Sequence, residues 1–543
     1  LIYHPADEEF SFPMKRRLVL SGGASAFLGC VPAPLALLIE GGFLGVNLKR
    51  GHALRQPAAR SEHRLMRQAR VLIAGGGVAG LAAARALRLR GIDDFALLEL
   101  EDHVGGNSRA GAVNGLACPL GAHYLPVPDD AAPEVQDLLT ELGLGHRVTG
   151  RWRLSAQGEQ HLCHSPQERL YFRGQWQEGL LPVNDVGPQT LAQYQGFAQA
   201  VTQAQAQAAF AVPVSKRPFR QYQKSLDAIT FDVWLNQSGW TDPYLRWYLD
   251  YCCRDDYGAG LDAVSAWAGI HYFASRHGFH APGAATMERD GGVLTWPEGN
   301  GWITQKLAAP MGPRLQTGRI VTRIDVLKAG VEVDAIDADT GQAERWVAER
   351  CIVALPLFIA ARVVRPAPPA LQAAAQAARY APWLVTNVHL REPLDDRPGA
   401  PLSWDNVIHA GQGAGQLGYV NAMHQSLSPV PGATVLTHYR AFGIHPAQRQ
   451  WLYEQTWAHW RDGLLADLHA PHPDLAGKAT RIDIMRYGHA MAVPVPGFAS
   501  HAALAALQAS PKGQRLQFAH SDLSGYSVFE EAFTHGHRAG MAV

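Results

Sequence analysis

Gly75, Gly77 and Gly80 are the first residues of this chain whose types and spacing could do chemistry. They follow the apolar run Val71–Ala74 and open a stretch rich in Ala, Leu and Arg. That order is strand, tight turn, helix. Gly75 lets the chain turn sharply, Gly77 lets the backbone approach a pyrophosphate, and Gly80 lets helix and strand pack closely, leaving the N–H groups at the helix start free to hold an anion. Gly91 ends the helix and residues 95–100 read as a second strand. Glu99 lies 19 residues past Gly80, where a dinucleotide fold needs an acceptor for ribose hydroxyls. A charge-assisted hydrogen bond there is worth roughly 1.5–3 kcal/mol, enough to orient a cofactor. Strand, glycines, helix, strand and acid in that order predict a dinucleotide-binding unit.

The next segment, EDHVGGNSR with Gly105, Gly106 and Arg109, makes the pattern specific. With Glu99 it resembles the glutamate and glycine pair of the flavin amine oxidase superfamily, which includes monoamine oxidases, polyamine oxidases and protoporphyrinogen oxidase. The resemblance implies FAD in place of NAD. Many members have arginine directly after the glycine pair, where this chain has Asn107 with Arg109 two residues later, which leaves open the side chain that meets the pyrophosphate. Residues 516–540, LQFAHSDLSGYSVFEEAFTHGHRAG, resemble the last flavin motif. Asp522 matches the acid that bonds the ribityl or pyrophosphate region, and Gly525 with the amides after it would approach the isoalloxazine at a helix N-terminus. Tyr526 is the aromatic expected beside the flavin, with Val528 or Phe529 there if the shorter loop shifts the register. Val321 stands where the family packs a strand beside the adenine. Residues 121–124, GAHY, resemble the GAHW segment of animal polyamine oxidases, in which the histidine lies at the substrate cavity. His123 would accept a hydrogen bond from an ammonium or tune its protonation, or else order the loop over the flavin.

Between these motifs the chain must build a substrate chamber. Residues 131–145 read as a helix, 150–176 as strands with turns, and 188–210 as a long Gln- and Ala-rich helix forming a solvated outer wall. Aromatics recur at helical spacing over 225–277, a stripe that reads as core. Asp250, Asp255 and Asp256 sit among them. A carboxylate beside aromatic faces suits a cationic amine, and capping or salt bridges with Arg246 and Arg254 is the alternative. Many members of the superfamily carry, in the strand matching residues 380–394, a lysine that is water-bonded to flavin N5. Counting back from Pro393 reaches Val385, with Thr386 and Asn387 beside it, and none is basic. Oxidase chemistry that relies on the lysine is thereby put in doubt, and a non-oxygen acceptor or a desaturase-like reaction gains weight.

The fold expected is α/β, a Rossmann-like FAD-binding domain with an inserted α+β substrate domain. The FAD domain takes residues 69–124, 288–365 and 510–543, and the substrate domain 125–287 and 366–509. Ahead of them come an export signal over residues 1–30 and an approach segment over 31–68. Met14 reads as the start, followed by Lys15, Arg16, Arg17 and the apolar run 18–29, which resemble a twin-arginine signal ending in a lipoprotein-like box at Cys30. Periplasmic localisation or a membrane tether through the N-terminus follows. An uncleaved anchor and a buried apolar segment are the alternatives.

The chain has 543 residues, 48 Lys plus Arg against 48 Asp plus Glu, and 47% hydrophobic residues. A balanced charge argues against nucleic acid as a partner. Six cysteines without CxxC spacing exclude a recognisable zinc site, so no metal is expected. None follows Cys351, so the cysteinyl flavin link of monoamine oxidases has no residue to form it and FAD is expected to be held non-covalently. The activity expected is hydride transfer to flavin N5 from a carbon beside an amine nitrogen, in an amine or polyamine, with oxygen or quinone as acceptor. The alternatives are a desaturase or dehydrogenase for an apolar substrate, an exported FAD-binding protein without turnover, and an electron-transfer flavoprotein.

Overall fold

A computed structural model of the chain describes residues 39–55, 64–163, 167–276, 278–283, 292–409, 415–425, 430–509, 511 and 514–543. The expected export signal, with Arg16, Arg17 and Cys30, lies outside the described residues. Among those described, no helix is long and apolar enough to cross a membrane.

The glycine turn hangs from a sheet of five parallel strands in the order Leu315–Gln316, Phe95–Leu98, Val71–Ala74, Arg350–Val353, Leu516–Phe518. Val71–Ala74 and Phe95–Leu98 are buried at every residue, as apolar strands covered on both faces must be. Parallel neighbours need a crossover, and the helix Val78–Leu89 supplies the first. The last helix, Phe529–Ala542, lies along it. Two glycines make that approach possible, since a Cβ at Gly536 would stand 2.1 Å from the Ala79 carbonyl oxygen and one at Gly540 2.6 Å from that of Ala83. Phe533 then packs with Ile73, Leu81 and Leu97 in one apolar core. A second five-stranded sheet, in the order Val364–Arg365, Arg319–Val326, Val331–Asp337, Ala343–Ala348, Leu65–Gln68, shares a core with the opposite face of the first, where Leu72, Ala74 and Leu98 meet Val321, Val333 and Trp346.

The region expected to hold substrate is built on an eight-stranded sheet, ordered Glu40–Leu44, Ala479–Ala492, Tyr380–Leu390, Thr434–Ala441, Gln416–Asn421, Asp405–Ile408, Glu168–Phe172, Gln175–Glu178. Every residue of Tyr380–Leu390 is buried, and its alternation sorts the two faces. Ala381, Trp383 and Val385 join the core shared with the helices Pro243–Tyr257 and Ala266–Ala274. Leu384, Val388 and Leu390 pack on the other face, against the helix Trp457–His469. The helix Pro188–Gln207 is solvated on one side only, because Tyr194, Phe197 and Val201 bury its other face in the chamber core.

The stretch before the glycine turn, expected as a plain approach, is structured where it is described. Glu40–Leu44 runs parallel to the strand Ala479–Ala492 at the edge of the eight-stranded sheet, and Leu65–Gln68 pairs with Ala343–Ala348. The sequence EGGFL hides this strand because two adjacent glycines read as a turn.

Gly536→Ala tests the contact that aligns the first and last helices. The added methyl has no space, and the variant should lose about 1–3 kcal/mol of stability, read as a lower urea midpoint with an unchanged slope.

Candidate active site

A cavity of about 510 Å³ is lined both by the glycine turn and by the aspartates on the helix Pro243–Tyr257. At one end the turn is fixed by backbone sterics. Gly75 has φ +104°, and a Cβ there would stand 2.3 Å from the Ala354 carbonyl oxygen, while one at Gly80 would stand 1.9 Å from that of Gly75. Gly77 precedes the helix without offering a side chain to cap it, so the first backbone N–H groups face the cavity. The second glycine pair closes on this turn: the Gly105 N–H donates to the Gly76 carbonyl at 2.8 Å, and a Cβ at Gly106 would lie 3.3 Å from the Gly77 Cα.

Glu99 is oriented by two backbone donors, Gly76 N–H to Oε2 at 2.7 Å and Glu101 N–H to Oε1 at 2.8 Å. Burial raises its pKa, against the pull of those two N–H groups. Each oxygen keeps capacity for a second hydrogen bond, which is what ribose hydroxyls require. Val321 and Arg319 line the same end. Asp522 lines the cavity fully buried. Its Oδ2 accepts from the Tyr380 hydroxyl at 2.5 Å and the Leu357 N–H at 3.0 Å. Burial pushes its pKa up, but His520, 3.0 Å from Oδ1, and those two donors outweigh it and hold the carboxyl below its ordinary value. Uncapped amides, side-chain-free turns and a pre-oriented carboxylate fit FAD at this end.

Four expected residues do not line the cavity. Gly80 serves helix packing. Arg109 braces the second glycine turn from behind, its Nε donating to the Gly106 carbonyl at 3.0 Å with Glu101 3.9 Å from the guanidinium. Gly525, at φ +86°, passes close to Ala499. Tyr526, expected beside the flavin, is fully buried outside the cavity. Its hydroxyl donates to Glu531 Oε1 at 2.9 Å and meets His271 Nε2 at 3.1 Å. A buried phenol must find polar partners, and these turn it into the core. Val528 and Phe529 take the cavity wall instead.

The far end of the cavity is acidic. Asp255 and Asp256 occupy the last turn of the helix Pro243–Tyr257, the end where the helix dipole disfavours carboxylates. Asp256 Oδ1 accepts from Arg276 Nη2 at 2.9 Å, while its Oδ2 is buried without a partner. The neighbouring arginines are taken elsewhere, Arg254 by Asp250 at 2.5 Å and Arg246 by Asp232. Asp255 therefore makes no ion pair or hydrogen bond among the described residues and keeps part of its surface open to the cavity. Burial, with Asp256 adding to it, pushes its pKa up to about 7. Glu530, at the start of the last helix, also faces the cavity and is raised to about 7, chiefly by burial. Three carboxyls thus share one end of the cavity with a single guanidinium, Arg276.

His123 lines the middle, stacked on Tyr439 with ring centroids 4.6 Å apart. Burial drives its pKa down to about 3, so it is a neutral ring at physiological pH. Val385 also lines the cavity, and no lysine does among the described residues.

Sequence reasoning missed Glu530, Arg276 and Asn300. Glu530 lay in a quoted motif, and an acid at a helix start carried the only signal. Asn300 is 2% exposed, and its Oδ1 has no partner where it borders the cavity.

Comparison with known proteins agrees with this geometry. A family model described as flavin containing amine oxidoreductase matches residues 78–543. The chain is similar to AofH of Mycobacterium tuberculosis, named as a candidate flavin-containing monoamine oxidase. It is 28% identical over 377 residues, covering 65% of this chain and 74% of that one. Wild-type putrescine oxidase bound to putrescine shares the fold with TM-score 0.63 at 18% identity, over 88% of this chain and 99% of the other. Cyclohexylamine oxidase from Brevibacterium oxydans IH-35A does so with TM-score 0.62 at 17% identity, over 87% and 98%.

The unpaired Asp255 predicts a stability signature. Its native pKa, raised to about 7, lies above the ordinary carboxylate value of roughly 4, so the native state holds a proton the unfolded chain releases. Stability from this group is present at low pH and falls as pH rises between those values. Asp255→Asn should unfold later than wild type at pH 8, by roughly 1–4 kcal/mol, and lose that advantage at pH 4.5, as read by urea unfolding at the two pH values.

Proposed function

We propose, from the premise that the chain belongs to the flavin containing amine oxidoreductase family and is an FAD-dependent oxidoreductase, that it oxidises a small amine at the carbon beside nitrogen. The observation that carries this reading is Asp255, a carboxylate facing the cavity with no partner among the described residues. FAD, when bound, supplies the hydride acceptor at N5. The protein's part is to bind, orient and keep the site dry.

In this reading Asp255 pairs with the substrate ammonium through a charge-assisted hydrogen bond. Asp256 does not compete for it, since Arg276 holds its carboxylate. His123, neutral because it is buried, adds no positive charge beside the cation and offers its ring face with Tyr439. An ammonium must give up a proton before its carbon can release a hydride. Asp255 and Glu530, which hold protons up to about pH 7, are better acceptors for that proton than ordinary carboxylates. The apolar wall of Trp383, Val385 and Phe529 keeps water from the reacting carbon. The putrescine-bound relative by fold supports an amine but not a particular one.

Val385 favours a further reading on the acceptor. With an apolar residue on the wall where the superfamily's lysine is expected, we propose that electrons leave to a quinone-like acceptor faster than to oxygen.

Anaerobic mixing of the FAD-loaded protein with monoamines, spermidine and spermine should bleach the flavin absorbance. The apparent Kd of the amine should weaken as pH falls from 8 to 6, because Asp255 takes up a proton, and Asp255→Asn should weaken it at least about tenfold at pH 8 and flatten the pH dependence. No bleaching by any amine, while dithionite still reduces the flavin, would refute the amine reading. Reoxidation by air as fast as by a soluble quinone would refute the acceptor reading.

A further inference from the structure

Residues 39–55 precede the glycine turn and also precede the family match, which begins at residue 78. They nevertheless reach the cofactor end of the cavity. Gly51 and Leu54 line it, together with Glu99, Leu100 and Arg319. The segment is fastened on both sides of the cavity mouth. On one side Glu40–Leu44 runs parallel to residues 481–485 of the strand Ala479–Ala492, which continues into Tyr487, His489 and Met491 of the cavity wall. On the other side, Arg50 of the helix Leu48–Ala53 donates to the Leu100 carbonyl at 3.2 Å and pairs with Asp102 at 2.6 Å and Asp339 at 3.0 Å. The Asn47 N–H donates to Glu101 Oε1 at 3.0 Å, and Arg362 Nη1 donates to the Leu54 carbonyl at 3.0 Å.

These bonds reach the residues that flank Glu99 itself. The arginine is also nearly enclosed, at 11% side-chain exposure, although Asp102 and Asp339 are open to solvent. Gly51 supplies a second observation. Gly51 lines the cavity, and a Cβ there would meet nothing within 4 Å, so a large side chain can be placed at the cavity border without a clash inside the protein.

We infer that residues 47–54 are part of the FAD-binding site: a strap, tied to both sheets, that encloses the adenosine end of the cofactor and retains it without a covalent link. Residues at the turn and at Glu99 give FAD its hydrogen bonds, while the strap removes its exit. Release then requires the Arg50 and Asn47 contacts to open together.

The test compares FAD affinity and release in Gly51→Phe, Arg50→Ala and Gly42→Phe. Gly42 lies on the same segment, also has open space at its Cβ, and does not line the cavity, so its variant is the control. Apo-protein titrated with FAD by flavin fluorescence should show a Kd raised at least about tenfold in Gly51→Phe, equivalent to about 1.4 kcal/mol. Arg50→Ala should lose FAD faster on gel filtration, and Gly42→Phe should match wild type in both. Wild-type affinity in Gly51→Phe, or equal weakening in Gly42→Phe, would overturn the strap. A measurement without variants guards against misfolding. Trypsin should cut after Lys49, Arg50 or Arg55 more slowly in FAD-loaded than in FAD-free wild-type protein, and equal rates would also overturn it.

Discussion

The contact on which the rest of the structure depends is the close approach of the helices Val78–Leu89 and Phe529–Ala542. Backbone meets backbone there because Gly536 and Gly540 have no side chains. The amide end of the first helix and the start of the last are thereby brought to one cavity, so Gly77 and Glu530 can both face it although 453 positions separate them. A residue with a Cβ at either glycine would push the last helix outward. Val528, Phe529 and Glu530 would then move away from the glycine turn.

The second constraint is electrostatic and works against stability. Among the described residues three carboxyls meet one guanidinium, two of them at the unfavourable end of a helix, and one, Asp255, has no partner. Folding alone would be better served by neutral side chains here. Such arrangements concentrate at functional sites, whereas the paired acids of the same region, Asp250 with Arg254 and Asp232 with Arg246, are ordinary ion pairs. Glu530 and Glu531 show how local the distinction is. Adjacent residues on a helix point about 100° apart, so Glu530 faces the cavity, while Glu531 takes hydrogen bonds from Tyr526, Ser524 and the Val214 N–H in the core.

The dinucleotide end was largely legible in the sequence, since sterics and hydrogen bonding there act over a short span. Gly75, Gly77 and Glu99 lie within 25 residues, and each has a role that few other residues could fill. Distance along the chain obscured the rest. Arg276 and Glu530 meet Asp255 and Asp256 only through tertiary packing, and no spacing announces that. Tyr526 shows the opposite failure: its motif was visible, but the choice between Tyr526 and Phe529 at the wall turned on whether a buried phenol could find acceptors inside, which Glu531 and His271 supply. The strand Glu40–Leu44 was hidden because its partners lie more than 430 residues downstream, and pairing overrode what its two glycines suggested.

The order of strands in the five-stranded parallel sheet bears on how the protein is made. Its central strand is laid down at residue 71 and its far edge at residue 516, with most of the eight-stranded sheet translated in between. The wall formed by Asp522, Val528 and Phe529 therefore does not exist while the chain is still emerging. Contacts of such long sequence separation form late and slowly. A complete cofactor cavity in consequence waits for the segment after residue 516, and the nascent protein passes through a stage in which the glycine turn is complete but its cavity is open along one side.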